Sequence, residues 1–207
     1  TQRRRVKGDD AIPLPPGIDL RQAAMVRINP PTARLMLSEF VDLAAGEWVI
    51  QNVANSAVGR LLIVQAHQRG LRTVNVVRRA ELAEELKSLG ADVVLVDGDD
   101  LAERVAGATG NAAIRLGIEA IGGAATGRIV DCVATEGTVV HYGSMSGEDP
   151  RVGRSNLIYR GIKLTGFMLG RGLAKRDAAR IREIYAELAA QVVAGTLYAP
   201  VDTVYPI

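Results

Sequence analysis

Short runs of β-branched and aliphatic residues alternate along this chain with stretches whose apolar positions recur every three to four residues. Trp48-Val49-Ile50-Gln51-Asn52-Val53 is the first such run, and Ala54-Asn55-Ser56-Ala57-Val58-Gly59 follows it. Val58, Leu61, Leu62 and Ala66 then share one face at helical spacing, and Gly70 stands where a helix C-terminal glycine belongs. Residues 73–77 predict a second strand. Ala83, Leu86 and Leu89 mark a second helix, closed by Gly90, and residues 93–96 predict a third strand. Residues 100–109 can form a short helix, 115–121 a fourth strand, 124–134 a helix, 138–142 a fifth strand and 163–168 a sixth. Residues 175–194 make an amphipathic helix, with Ile181, Ile184, Leu188 and Val192 on one face and Gly195 after it. Ahead of the first strand, a helix follows Asn29-Pro30-Pro31-Thr32, with Thr32 as its cap and Met36, Leu37, Phe40 and Val41 as its apolar face. Gly46 ends that region.

Strands alternating with helices over short connections mean βαβ units. The expected fold is therefore α/β, a doubly wound parallel sheet of about six strands with helices on both faces. Its crossovers should be right-handed. Residues 1–22 read as a connector. Arg3-Arg4-Arg5-Val6-Lys7 is a solvated basic end, and Pro13, Pro15 and Pro16 bar a helix from the stretch that follows. Residues 23–195 hold the sheet, and 196–207 lie beyond it.

Composition narrows the function classes. The 207 residues carry 25 Lys+Arg against 23 Asp+Glu, so there is no electrostatic case for a nucleic-acid partner. No stretch approaches the ~18 apolar residues of a membrane span. A single cysteine, Cys132, excludes an intrachain disulfide and a Cys-rich zinc site. A reducing compartment fits, and a cytoplasmic location is expected. Aromatic residues are only 4%, so the core must be aliphatic.

The first strand-to-helix turn is where chemistry is expected. In a doubly wound sheet the ligand sits outside the carboxyl ends of the strands, and a helix N-terminus there offers open N–H groups to a pyrophosphate. Of the usual three glycines only Gly59 remains, with Asn55, Ser56 and Ala57 in the turn. Spacing alone leaves a second reading open, a tight turn packed with small residues. The end of the second strand sharpens the choice. An NAD site would place an acid there to bind the ribose hydroxyls. This chain has Arg78-Arg79 instead. Two guanidinium forks suit a 2′-phosphate; the alternative is a solvated pair at a helix start, where cations oppose the dipole. Cys132 reads as a small buried hydrophobe in a helix and His67 as a helix-surface residue. His141, at a strand end before Tyr142, could line the site.

Three segments carry a resemblance. They are Ile28-Asn29-Pro30-Pro31-Thr32-Ala33, Gln51-Asn52-Val53-Ala54-Asn55-Ser56-Ala57-Val58-Gly59 and Thr73-Val74-Asn75-Val76-Val77-Arg78. From about residue 10 to the C-terminus the chain resembles the medium-chain dehydrogenase/reductase superfamily. Within it the chain is most similar to NADPH-dependent trans-2-enoyl thioester reductases, with quinone oxidoreductase-like members as near relatives. The resemblance implies that Asn29 contacts NADPH near its nicotinamide end. It implies that Asn55, Ser56, Ala57 and Val58 cradle the pyrophosphate and that Arg78 and Arg79 hold the 2′-phosphate. Tyr142, Gly143, Ser144 and Met145 match a loop flanking the cofactor. Phe167, Met168 and Leu169 match the stretch beside the nicotinamide. Two positions depart from the pattern. Ala57 replaces the usual glycine, and Ala80 stands where a second arginine is common, with Arg79 as its substitute.

Zinc-dependent members carry a cysteine ligand near the position of Asn29. No Cys or His stands there, so no functional metal is expected. The resemblance further implies a separate catalytic domain outside this sequence. Residues 1–22 would be its exit and 196–207 the start of the return to it, and the proton-donating tyrosine would belong to it. The implied function is the NADPH-binding part of an oxidoreductase that reduces the C=C bond of 2-enoyl thioesters. A zinc-independent quinone or aldehyde reductase and a non-catalytic NADPH-binding module are the alternatives. The expected partners are an acyl thioester or quinone and a second copy of the chain, paired along residues 163–169 as an antiparallel sheet edge.

Overall fold

A computed structural model describes residues 5, 8 and 11–205. The basic cluster expected at the N-terminus lies outside the described residues except for the exposed Arg5. Six strands, β1 (Trp48–Gln51), β2 (Arg72–Val77), β3 (Val93–Val96), β4 (Leu116–Glu119), β5 (Thr138–His141) and β6 (Lys163–Gly166), form one sheet in the order β3-β2-β1-β4-β5-β6. Every pairing is parallel. Parallel strands buried on both faces need apolar side chains in succession, which the runs at 49–50, 76–77 and 139–140 supply.

Alternate residues sort the two faces. Val49, Leu116, Ile118 and Val140 pack beneath α2 (Asn29–Glu39), α3 (Ala57–Gln68) and α9 (Ala178–Val193). Ile50, Val76 and Val139 pack on the opposite side against α5 (Leu101–Thr109) and α6 (Gly123–Cys132). A third cluster of Ala54, Ile63, Val77 and Leu86 seats α3 and the short α4 (Ala83–Ser88) beside β2. Ser56 caps α3 by accepting from the Gly59 N–H, and Asp177 caps α9 by accepting from the Arg180 N–H.

Several boundaries differ from the periodicity. The strands expected at 115–121, 138–142 and 163–168 end earlier, at Glu119, His141 and Gly166, because polar or turning backbone takes over at the rim of the sheet. The helix after Asn29-Pro30-Pro31 begins at Asn29 itself, so Thr32 is not its cap. The prolines occupy first-turn positions whose missing N–H groups had no intrahelical partner anyway, and Thr32 sits inside the helix with its hydroxyl donating to the Ile28 carbonyl at 2.7 Å. Helix α1 (Leu20–Met25), capped by Asp19, occupies the end of the expected connector and the residues just after it. Two further short helices, α7 (Arg154–Ile158) and α8 (Leu169–Ala174), were too brief to leave a period. No helix among the described residues is long and apolar enough to cross a membrane.

Candidate functional site

The order of the sheet reverses direction between β1 and β4, which opens a crevice at the carboxyl ends of these two neighbours. On the β1 side the chain turns sharply through Val53, a non-glycine residue at φ 51°, and enters α3. Gly59 is required here: a Cβ would stand 2.6 Å from the Ala54 carbonyl oxygen and 2.7 Å from that of Val53. The N–H groups of Gly59 and Arg60 are used by Ser56, through its hydroxyl and carbonyl respectively. Those of Ala57 and Val58 have no acceptor among the described residues, which leaves two donors open at the mouth of the turn. Arg60 braces the turn from behind. Its Nε donates to the Asn55 carbonyl at 3.0 Å, and its guanidinium pairs with Glu85 at 2.6 Å.

Arg78 and Arg79 leave β2 next door, both exposed. Arg79 lies 3.4 Å from Glu81, and Arg78 makes no ion pair among the described residues. The sequence placed them at a helix N-terminus. The structure begins with a 3₁₀ turn, Ala80–Leu82, before α4, and Arg79 offers it no side-chain cap.

On the β4 side stands a group that periodicity did not single out. Glu119 is fully buried, yet its carboxylate is saturated with donors. Oε1 accepts from the Asn52 amide at 2.9 Å, from the Ile121 N–H at 2.7 Å and from the Gly122 N–H at 2.9 Å. Oε2 meets Nδ1 of His141, its register partner on β5. Asn52 in turn accepts the Ala120 N–H at 2.9 Å. Burial pushes the Glu119 carboxyl up, but the Asn52 amide, the Gly122 N–H, His141 and the Ile121 N–H outweigh it and hold the group below the ordinary carboxylate range. An acid at the end of an otherwise apolar strand, opposite a histidine on the next strand, is the signal that could have found it.

Tyr142 follows His141 and is half-buried beside Ser56. Burial raises its phenol, the Ser56 hydroxyl pulls it down, and the Glu119 charge raises it. Gly143 packs against Ala120, and Met145 and Ser146 donate from their backbones to the carbonyls of Ala120 and Ile121. The 142–146 loop is thus tied to the β4 exit. Ser144 and Met145 are exposed. The Phe167 N–H donates to the His141 carbonyl, and its ring meets Phe40 edge-on at 6.0 Å. Met168 is exposed at the N-cap of α8, and Leu169 is the first residue of that helix, packed toward α2, rather than part of a longer β6. Asn29, the first residue of α2, lines a small apolar cavity with Met25, Val26, Leu61, Val192 and Leu197, to which no residue of the 53–58 turn contributes.

The family model described as zinc-binding dehydrogenase matches residues 57–190. The mitochondrial enoyl-[acyl-carrier-protein] reductase of Caenorhabditis elegans is 34% identical over 194 residues, covering 91% of this chain and 55% of that protein. Among solved structures, a complex of Etr1p with NADP and crotonyl-CoA superimposes with TM-score 0.83 at 26% identity, over 92% of this chain and 56% of the other; Etr1p from Candida tropicalis is also seen as an Etr1p/Etr2p heterodimer. A putative NADPH:quinone reductase from Bacillus thuringiensis reaches TM-score 0.86 over 93% of this chain and 58% of the other, and at 24% identity it shows the shared fold. The chain spans about half the length of the curated relatives it matches.

The described residues do not fit a zinc ion, despite the family's description. The Cys132 thiol is pushed up to about 12, by burial first and by Asp131 and Asp97 after it, and donates to the Arg128 carbonyl. A metal needs the thiolate. His67 is exposed on α3, and His141 is engaged by Glu119. Among the described residues no three His, Cys, Asp or Glu side chains gather to hold a metal.

Proposed function

From a chain that belongs to the zinc-binding dehydrogenase family, within the medium-chain dehydrogenase/reductase superfamily, we propose the NADPH-binding part of a reductase that acts on 2-enoyl thioesters. The observation that carries the cofactor choice is the pair Arg78 and Arg79 at the end of β2, with no acid to meet ribose hydroxyls. Planar guanidinium forks match a 2′-phosphate. The open N–H groups of Ala57 and Val58, at the positive end of a twelve-residue helix, fit a pyrophosphate. Asn55 and Ser56 shape the turn that presents them. Ala57 is exposed at the mouth of the turn, where its methyl group holds the backbone less close to the phosphates than the family's usual glycine would.

The chemistry that NADPH brings to such a site is hydride donation to the β-carbon of an activated C=C bond. The chain's own residues bind and orient. Arg78 and Arg79 hold the adenosine half over β2, and the 142–145 loop with Phe167 and Met168 borders the other half over β5 and β6. Asn29 is placed near the nicotinamide end by resemblance only, and the proton donor to the α-carbon is assigned to none of the residues here. An acyl thioester substrate is supported by the names of the relatives and by the crotonyl-CoA complex of Etr1p. A quinone is the second reading, carried by the resemblance to quinone oxidoreductase-like members. The cytoplasmic location expected from the single cysteine rests on redox chemistry, whereas the curated relatives are mitochondrial by name.

We also propose a homodimer through β6. This strand is one of the two sheet edges, with half-buried Leu164 and Thr165 between exposed Lys163 and Gly166. Intact mass of the purified protein followed by NADPH consumption with crotonyl-CoA and with a quinone tests the reaction class. Turnover of crotonyl-CoA but not quinone by the full-length enzyme supports the reading; the reverse preference overturns it.

A further inference from the structure

A carboxylate withdrawn from water at the rim of a cofactor crevice demands a reason, because an apolar residue would fill the place at less cost. Glu119 is completely buried, and its four donors come from three different segments: Asn52 beyond β1, Ile121 and Gly122 in the β4–α6 turn, and His141 at the end of β5. Together with Asn52 it engages every N–H of the turn 120–122. The carbonyls of Ala120 and Ile121 accept from Met145 and Ser146, and that of Glu119 accepts from Tyr142. One side chain thus fixes the backbone on the β4–β5 side of the crevice. Nothing in this network reaches β2, where Arg78 and Arg79 stand. With Nδ1 turned to Glu119, no hydrogen bond of His141 Nε2 exists among the described residues, and about a fifth of the side chain is exposed.

We propose that Glu119 is a positioning residue for the nicotinamide half of the cofactor: it sets the 120–122 turn and the His141 ring, and through them the loop at 142–146. The inference rests on the cofactor reading above. A dinucleotide laid across the switch point with its 2′-phosphate at β2 places its nicotinamide half over β4 and β5. The adenosine half then lies beyond the reach of Glu119.

The test compares two ligands on the purified chain. NADPH spans both halves of the site; adenosine 2′,5′-bisphosphate occupies the β2 half alone. Glu119→Gln removes the charge and turns a donor toward donors, so it should weaken NADPH by about tenfold. It should leave the bisphosphate within about twofold. Equal loss of both ligands, or of neither, overturns the positioning role. If the unsubstituted chain binds neither ligand, the cofactor reading itself has failed. His141→Leu withdraws a single, partly exposed donor and spares the fold should Glu119→Gln not persist in solution. It should weaken NADPH at least about threefold with the bisphosphate unchanged. Unchanged NADPH binding in that variant overturns the proposal equally.

Discussion

Arg78 and Arg79 are neighbours in sequence but not equivalents. Arg79 shares its guanidinium with Glu81 at 3.4 Å, whereas Arg78 has no ionic partner among the described residues. An exposed pair such as Arg79–Glu81 holds its arginine weakly. Arg78 is therefore the freer of the two to meet a 2′-phosphate. Arg78→Ala is expected to weaken NADPH at least about tenfold and to leave NADH within about twofold, measured by titration of both cofactors. Parallel losses for the two would refute a 2′-phosphate role. Gly59 makes a different demand. Its missing Cβ is the space in which the Ala54 and Val53 carbonyls lie, and neither is a side chain that can swing aside. Gly59→Ala should cost about 1–3 kcal/mol in urea unfolding, the range typical of overpacking. A variant of unchanged stability would mean that the turn yields more easily than its geometry implies.

Among the elements, β6 carries the assembly argument. Its four residues pair with β5 on one side; the Lys163 N–H donates to the Gly137 carbonyl just before β5, and the Phe167 N–H to the His141 carbonyl at its end. Strand alternation turns the N–H groups of Leu164 and Gly166 outward. A proline at position 166 removes an outward donor while the ladder to β5 stays whole. The unmodified chain is expected to be a dimer at tens of micromolar in light scattering, and Gly166→Pro a monomer of similar thermal stability. A monomeric unmodified chain would contradict the pairing.

Elements with a long period or a solid apolar run were legible in the sequence. β3 lies at 93–96 as expected, and α3 and α9 fall where their apolar faces put them. The placement of the turn at 55–58 before α3 and of the arginines at 78–79 after β2 was legible from the strand and helix pattern alone. Two kinds of feature were not. Helices α1, α7 and α8 have five or six residues, less than two turns, and so repeat nothing. Glu119 was hidden for another reason: its role comes from Asn52 and His141, which lie 67 residues before it and 22 after it. Only pairing of β4 with its neighbours brings them together.

For the molecule as a whole, Glu119 also ties stability to pH. Its carboxyl is held below the ordinary 4.5 in the folded state, so the folded protein binds fewer protons there than the unfolded chain. The stabilisation is present above that ordinary value and is lost as pH falls through it toward the folded one. Urea unfolding between pH 7 and pH 3 should show stability declining at the acid end, and Glu119→Gln should flatten the decline. Identical slopes for the two proteins would mean that other carboxylates such as the half-buried Glu47 and the exposed Glu85, which are also lowered, carry the effect.

The central claim is that the fold presents a crevice built for a dinucleotide bearing a 2′-phosphate. Titrating the purified chain with NADPH and with NADH tests it without depending on substrate or on any other part of a larger enzyme. The account predicts NADPH bound at least about tenfold more tightly, since each charge-assisted pair contributes roughly 1.5–3 kcal/mol. Equal dissociation constants, or tighter binding of NADH, would contradict it.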